Sequence, residues 1–462
     1  MIQSSLKTNT NLLVYSFIAF VILVLLHQGL HSAALVAFIP LIIYLSYQKL
    51  RFFWSSFLII YSFSWLYIIL GFLPKQFTWF PEISSLIFLL YILLNIKEIK
   101  AKKEIFIFLI IILFSVLSFL INFDHINIYI YLAGLRLYLK FIPFFFFPFL
   151  LKTEEYHRFK TALPKFILTV AFIQVPVAFY QRFFLYKSTI SGDPIGGTLG
   201  PSASGHLTQF LFMVIVYYIA LSSNNQISNK KGALSISVLL LPCLLNETKI
   251  TYLLLAGILI YYVLLQRKTK ISTRLYIIVL SLIFVWFLTE VYYAFFRSQG
   301  LKLLFEIFLH PVDYVYDHWY TKDQGLDRIP QIIFAFQNIS KDIYSLLFGV
   351  GIGNASDSFF GSAVGNYYLN FLILKIDGIH LARYLWEWGI IGTSLWIYFI
   401  VRVCRYSNLI TDSILSKWYK GVLIVVIIGA FYNSNIISNV LGYLFWSISG
   451  LVCREYYEQK KW

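Results

Sequence analysis

The sequence predicts an all-α, polytopic integral membrane protein with about 14 transmembrane helices and one long extracytoplasmic loop. Three observations carry that prediction. Of the 462 residues, 59% are hydrophobic and only 13% charged, where soluble domains run near 45–50% apolar and about 25% charged. The apolar runs are long and continuous, unlike the alternating ~10-residue segments of an outer-membrane barrel. The basic residues fall between those runs and are concentrated in alternate loops, as topology rules require.

A spanning helix needs about 20 mostly apolar residues. In chain order the segments are 11–29, 33–48, 52–73, 82–96, 105–122, 126–151, 166–183, 206–222, 233–246, 250–266, 275–293, 381–401, 418–435 and 437–452. The first has too long an apolar stretch for a cleavable signal peptide, and no small-residue cleavage site follows it. Segments 82–96 and 233–246 are short enough to tilt or re-enter. The 45 Phe, 34 Tyr and 11 Trp suit the two rims of a bilayer, where amphipathic rings settle.

With both termini in the cytoplasm, 24 of the 37 Lys and Arg residues fall in inner loops and 10 in outer ones; Arg136, Lys140 and Arg383 lie inside spans. The formal charge of +16 therefore reads as topology and not as nucleic-acid binding. Residues 1–293 carry spans one to eleven, 294–380 form the large outer loop, and 381–462 carry the last three spans and a tail. A second outer segment runs from Phe184 to Gly205. Within the large loop, Ile329, Ile332, Ile333, Phe336 and Ile339 recur at helical spacing, with Asp327 and Pro330 as start signals. Three cysteines and eight histidines show no disulfide or metal-ligand pattern.

Charges inside a bilayer are expensive and mark function by default. Arg136 and Lys140 are four apart, share a helix face and have no acidic neighbour in sequence, so they need a distant carboxylate or a bound phosphate. The alternative is a snorkelling Lys140 and a structural ion pair for Arg136. Lys249, in Asn246-Glu-Thr-Lys249, either tips a polar hairpin or holds a cation over the outer surface. Arg383 and Glu387, also four apart, can pair with each other; Gly389 and Gly392 allow close helix packing. His380 stands at the outer mouth of that span. The segments Gly192–His206 and Phe348-Gly-Val-Gly-Ile-Gly353 match neither a phosphate-binding loop nor a dinucleotide fingerprint. Alone, each reads as a flexible loop.

Taken in order, these pieces resemble the bacterial O-antigen polymerase and O-antigen ligase superfamily over roughly residues 130–400. Gly134-Leu-Arg-Leu-Tyr-Leu-Lys140 is similar to its GLR-x-YLK helix, and Gly197-Thr-Leu-Gly-Pro-Ser-Ala-Ser-Gly to its GTFG-x-x-x-A loop. Thr248-Lys249 stands where Ser-Arg is usual. Arg328 resembles the loop arginine that precedes LFGVGPG, and Trp386-Glu-Trp-Gly-Ile-Ile-Gly392 matches xExGxxG. The resemblance implies a glycosyltransferase of the bacterial plasma (inner) membrane, drawing a glycan from undecaprenyl pyrophosphate onto a sugar hydroxyl at the outer face. It implies no metal, nucleotide or other cofactor. The expected partners are the lipid-linked oligosaccharide, membrane lipid and a chain-length regulator, with no nucleic acid.

On that reading Arg328, Lys249 and His380 form the catalytic set, His380 as base. Arg136, Lys140, Arg383 and Glu387 bind or orient substrate. Two departures stand out: lysine replaces the usual arginine at position 249, giving a point charge in place of a two-pronged donor, and His380 is nine residues before Gly389 where the ligases place histidine eleven before. The second favours a polymerase over a ligase. A lipid-linked sugar flippase or another transporter is the reading from a different class; related halves or matched broken helices would mark it, and neither occurs.

Overall fold

A computed structural model describes residues 48–64, 79–186, 194–265 apart from 202, 247 and 249, 326–358 apart from 327, and 363–460, with positions 279 and 283 in isolation. The spans expected at 11–29, 33–48 and 275–293 lie, but for single positions, outside the described residues, as does Lys249. Among the described residues every regular element is helical. The chain is a helical, membrane-embedded protein: among the described residues six helical stretches are long and apolar enough to cross a bilayer, one of them running from Ile128 to Leu150 through more than one element.

The helices, in order, are α1 (Lys49–Ser64), α2 (Phe80–Leu94), α3 (Lys102–Ile121), α4 (Ile128–Leu139), α5 (Ile142–Phe146), α6 (Thr153–Tyr180), α7 (Ser204–Ser223), α8 (Asn229–Leu245), α9 (Ile250–Leu265), α10 (Arg328–Ile339), α11 (Ile343–Phe348), α12 (Asn366–Asn370), α13 (His380–Ser407), α14 (Ser413–Ala430) and α15 (Asn439–Gln459). The helix expected from Ile329 to Ile339 is α10, which buries Pro330, Gln331, Ala335 and Ile339.

Two expected spans are cut differently. The stretch 126–151 is continuous in hydropathy but not in backbone: α4 stops at Leu139, and α5 and a 3-10 turn, Phe147–Leu150, follow. Pro143 has no N–H for the Leu139 carbonyl, which ends the helix there. The stretch 418–435 ends as a helix at Ala430, and the polar run 431–438 forms a turn in which the Asn435 side chain donates back to the Val426 carbonyl at 2.6 Å.

Aromatic residues, expected at the rims, also fill much of the interior. Phe52, Phe53, Phe57, Phe88, Phe144, Phe147 and Phe159 are all fully buried; Phe53 stacks on Phe147 with centroids 4.5 Å apart and meets Phe159 edge-on at 4.8 Å. Between helices in lipid there is little hydrophobic drive, so close packing must hold them. Flat rings supply it, at about 0.5–1.5 kcal/mol per well-placed pair. Helix α15 is the centre of the bundle: every residue from Leu441 to Arg454 is buried.

The segment Phe348–Gly353 is a wedge, not a flexible loop. It lies between α4 and α13 at a break in α13, where Gly389 adopts φ 60° and ψ −166°. That break frees the Trp386 carbonyl, which accepts from Val350 N at 2.7 Å. A Cβ on Gly389 would sit 2.5 Å from Gly349 N, and one on Gly353 3.0 Å from the Cα of Gly134. Backbone meets backbone on both sides, so side chains are excluded. The glycines of the GLR, GVGIG and ExG segments thus serve one joint.

Candidate functional site

Helices α2, α13 and α15 begin near the level where α4 ends, so their first turns surround the far end of α4. The twelve residues of α4 carry Lys140 about 18 Å from the helix start at 1.5 Å per residue. The resulting polar cluster is recessed within the bundle.

Glu82, in the first turn of α2, is its organising acid. Arg136 Nη1 lies 2.9 Å from Glu82 Oε2 and Lys140 Nζ 3.9 Å from Oε1. Lys140 also donates to Asn439 Oδ1 at 2.7 Å, and its carbonyl accepts from Ser85 at 2.6 Å. The distant carboxylate that Arg136 and Lys140 require is therefore Glu82, and two cations share it.

Arg383 and Glu387 do not pair with each other. Arg383 forks onto Asp377, donating to its carbonyl at 2.9 Å and its carboxylate at 2.7 Å. Glu387 is fully buried and accepts from the Tyr138 hydroxyl at 2.6 Å. The break at Gly389, two residues after Glu387, and the non-helical run 376–379 flank the two side chains, which turn toward different partners. Tyr138 bridges α4 to α13, its ring meeting Tyr384 and Trp388 edge-on at 5.1 and 5.2 Å.

His380 opens α13. Its backbone N–H donates to the Asn433 carbonyl at 3.2 Å, its ring lies 4.4 Å from that of Tyr384, and its buried Nδ1 has no hydrogen-bond partner among the described residues. Arg328 stacks on Tyr432, 3.9 Å from the ring centroid, in the same 431–438 turn. Asn433 Oδ1 accepts from Gln209 at 2.9 Å, and His206 lies beside the backbone of Ser434. Two histidines and one arginine thus converge on one turn.

The Gly197–Gly205 segment is held against the same end of the bundle by Gln174 of α6 and by Gln181, which follows that helix directly. Gln174 accepts from Thr198 N and donates to its hydroxyl, both at 2.8 Å; Gln181 accepts from Gly197 N at 2.8 Å and donates to its carbonyl at 2.9 Å. Gln181 begins a π-helical turn, Gln181–Leu185, a distortion often met at functional sites. Next to it, Asn246 donates to the Ser204 carbonyl at 3.1 Å and to Thr208 at 2.9 Å, and Thr208 bonds Thr248 at 2.7 Å. This fastens Asn246 and Thr248 beside the start of α7.

Of the residues singled out from sequence, Arg136, Lys140, Arg383, Glu387, His380 and Arg328 all line this recessed end. Glu82, His206, Gln209, Asp377, Asn433 and Asn439 belong to it and were not anticipated. Glu82 carried a usable signal, as the lone acid opening a short apolar run. Among the described residues no group of three or more His, Cys, Asp or Glu forms a metal-binding cluster. No protein-family model matches this chain, and no curated protein does.

Proposed function

We propose that this chain is a membrane glycan polymerase of the O-antigen polymerase type. It transfers a glycan from undecaprenyl pyrophosphate to a sugar hydroxyl of a second lipid-linked repeat unit, at the outer face of the bacterial plasma membrane. One observation carries the reading: Arg136, Lys140, Arg383, Glu387, His380 and Arg328 gather at one end of the bundle, where Arg136 and Lys140 both reach Glu82.

Basic side chains gathered in this way suit a diphosphate. As the bond from the anomeric carbon to the phosphate oxygen breaks, the leaving group takes the electron pair and gains charge, which fixed cations stabilise. Arg136, Lys140 and Arg328 are assigned that role, with Lys249 as a fourth cation. The acceptor hydroxyl forms the new bond to the anomeric carbon and gives its proton to His380, whose buried Nδ1 is open to accept it. Arg383 and Glu387 position this face of α13.

Arg328→Ala and Lys249→Ala are each expected to abolish surface polymer in cells while protein level stays unchanged. Normal ladders of chain length in both variants would remove these residues from the mechanism. In a deletion strain, single repeat units on lipid A-core indicate a polymerase; bare core with retained lipid-linked polymer would indicate the ligase instead. Extension of a defined lipid-linked repeat by purified protein tests the reaction itself.

A further inference from the structure

At the opposite end of the bundle, α3, α13 and α15 enclose a cavity of about 250 Å³ whose lining includes Lys103, Arg402, Arg405 and Lys460. A buried carboxylate lies behind the lining residue Arg402. Glu104 is fully buried and takes three donors: Arg402 Nε at 3.0 Å, the Tyr406 hydroxyl at 2.6 Å and the Tyr457 hydroxyl at 2.8 Å. Arg402 is neutralised by that contact. Lys103, Arg405 and Lys460 remain on the lining, which contains no acid.

A second cavity, of about 400 Å³, adjoins the first and shares Lys103, Tyr398 and Arg402 with it. Its other walls are Lys102 and the apolar Phe106, Ile107 and Ile110 of α3. Phe106, Leu109 and Leu113 are 50–67% exposed and continue this apolar side along the helix, as a lipid-facing surface would. Tyr406 and Tyr456 stack at 4.1 Å beside the basic cavity, and such rings favour the depth of lipid headgroups.

We propose that this pair of cavities is a binding site for an anionic phospholipid. The phosphodiester sits among Lys103, Arg405 and Lys460, and an acyl chain lies in the groove between α3 and α13. Surplus cations in a pocket between helices select a phosphate ester. The contiguous apolar groove selects one that carries an acyl chain over free phosphate. The site is separate from the glycan-transfer reading and stands or falls without it.

Native mass spectrometry of the detergent-purified full chain tests the proposal, with phosphatidylglycerol, phosphatidylcholine and inorganic phosphate as probes. Phosphatidylglycerol adducts are expected on the wild type, undisplaced by excess phosphate and not matched by phosphatidylcholine. The double variant Lys103→Ala with Arg405→Ala leaves the Glu104 contacts intact and is expected to weaken phosphatidylglycerol binding by roughly tenfold or more. Equal binding of the two lipids by the wild type would overturn the proposal. So would displacement by inorganic phosphate, or undiminished binding by the folded double variant. The wild-type comparison decides the matter even if that variant is not recovered.

Discussion

Glu82 and Lys160 sit at opposite ends of the bundle and solve opposite problems. At Glu82 two cations, Arg136 and Lys140, share one carboxylate. At Lys160 two carboxylates, Asp412 and Glu455, share one cation, each at 2.8 Å. The second arrangement is a brace: it ties α6 to the cap of α14 and to α15, with the Tyr156 hydroxyl also donating to Glu455 at 2.7 Å. The first is the reverse count: two basic side chains, on consecutive turns of α4, meet on one acid of α2.

The largest expected effect lies on the Glu82 side. Arg136→Ala combined with Lys140→Ala should lower glycan transfer by about 10²-fold or more, as loss of charge-stabilising donors does elsewhere, with protein amount unchanged. Lys160→Met should leave transfer near wild type. Assay of both purified variants on lipid-linked repeat units decides; comparable losses in the two would erase the distinction.

Next in size is Glu82→Gln. It leaves two cations facing each other without their acid, and breaking a buried pair from one side is costly. A fifth of the Glu82 side chain is exposed, so a loss of about 1–2 kcal/mol is expected, less than for a dry pair. Thermal unfolding in detergent reads it, and an unchanged midpoint would mean Glu82 is not the organising acid.

The smallest effect concerns acid. Burial opposes the Asp412 charge, but the Leu415 N–H and the Lys160 ammonium outweigh it and hold the carboxyl below its ordinary value. A depressed native pKa gives stability that is present above the unfolded value, about 3.9, and lost as pH falls through the native one. The stability gap between wild type and Lys160→Met should therefore be fullest at neutral pH and narrow below about pH 4. A gap that widens in acid would contradict this assignment.

Much of the fold was legible in the sequence because apolar length and helical spacing are local properties. Helices α3, α7, α10 and α13 follow directly from them. The break after Leu139 was hidden because Pro143 is itself apolar and leaves hydropathy uninterrupted. The partners of Arg136 and Arg383 were hidden for another reason: Glu82 lies 54 positions from Arg136, and Asp377 competes with the nearer-looking Glu387. The two glycine-rich segments had composition in common but not role. Gly197–Thr198 is clamped by side chains, while Phe348–Gly353 is seated by backbone shape, and only three-dimensional proximity to Gly134 and Gly389 distinguishes them.

Helix α15 has a consequence for biogenesis. Surrounded by protein from Leu441 to Arg454, it occupies the axis about which the others are arranged, yet it emerges from the ribosome after every other described helix. The earlier helices must therefore wait in the membrane around an unfilled axis, and the compact bundle closes only when this segment threads into it.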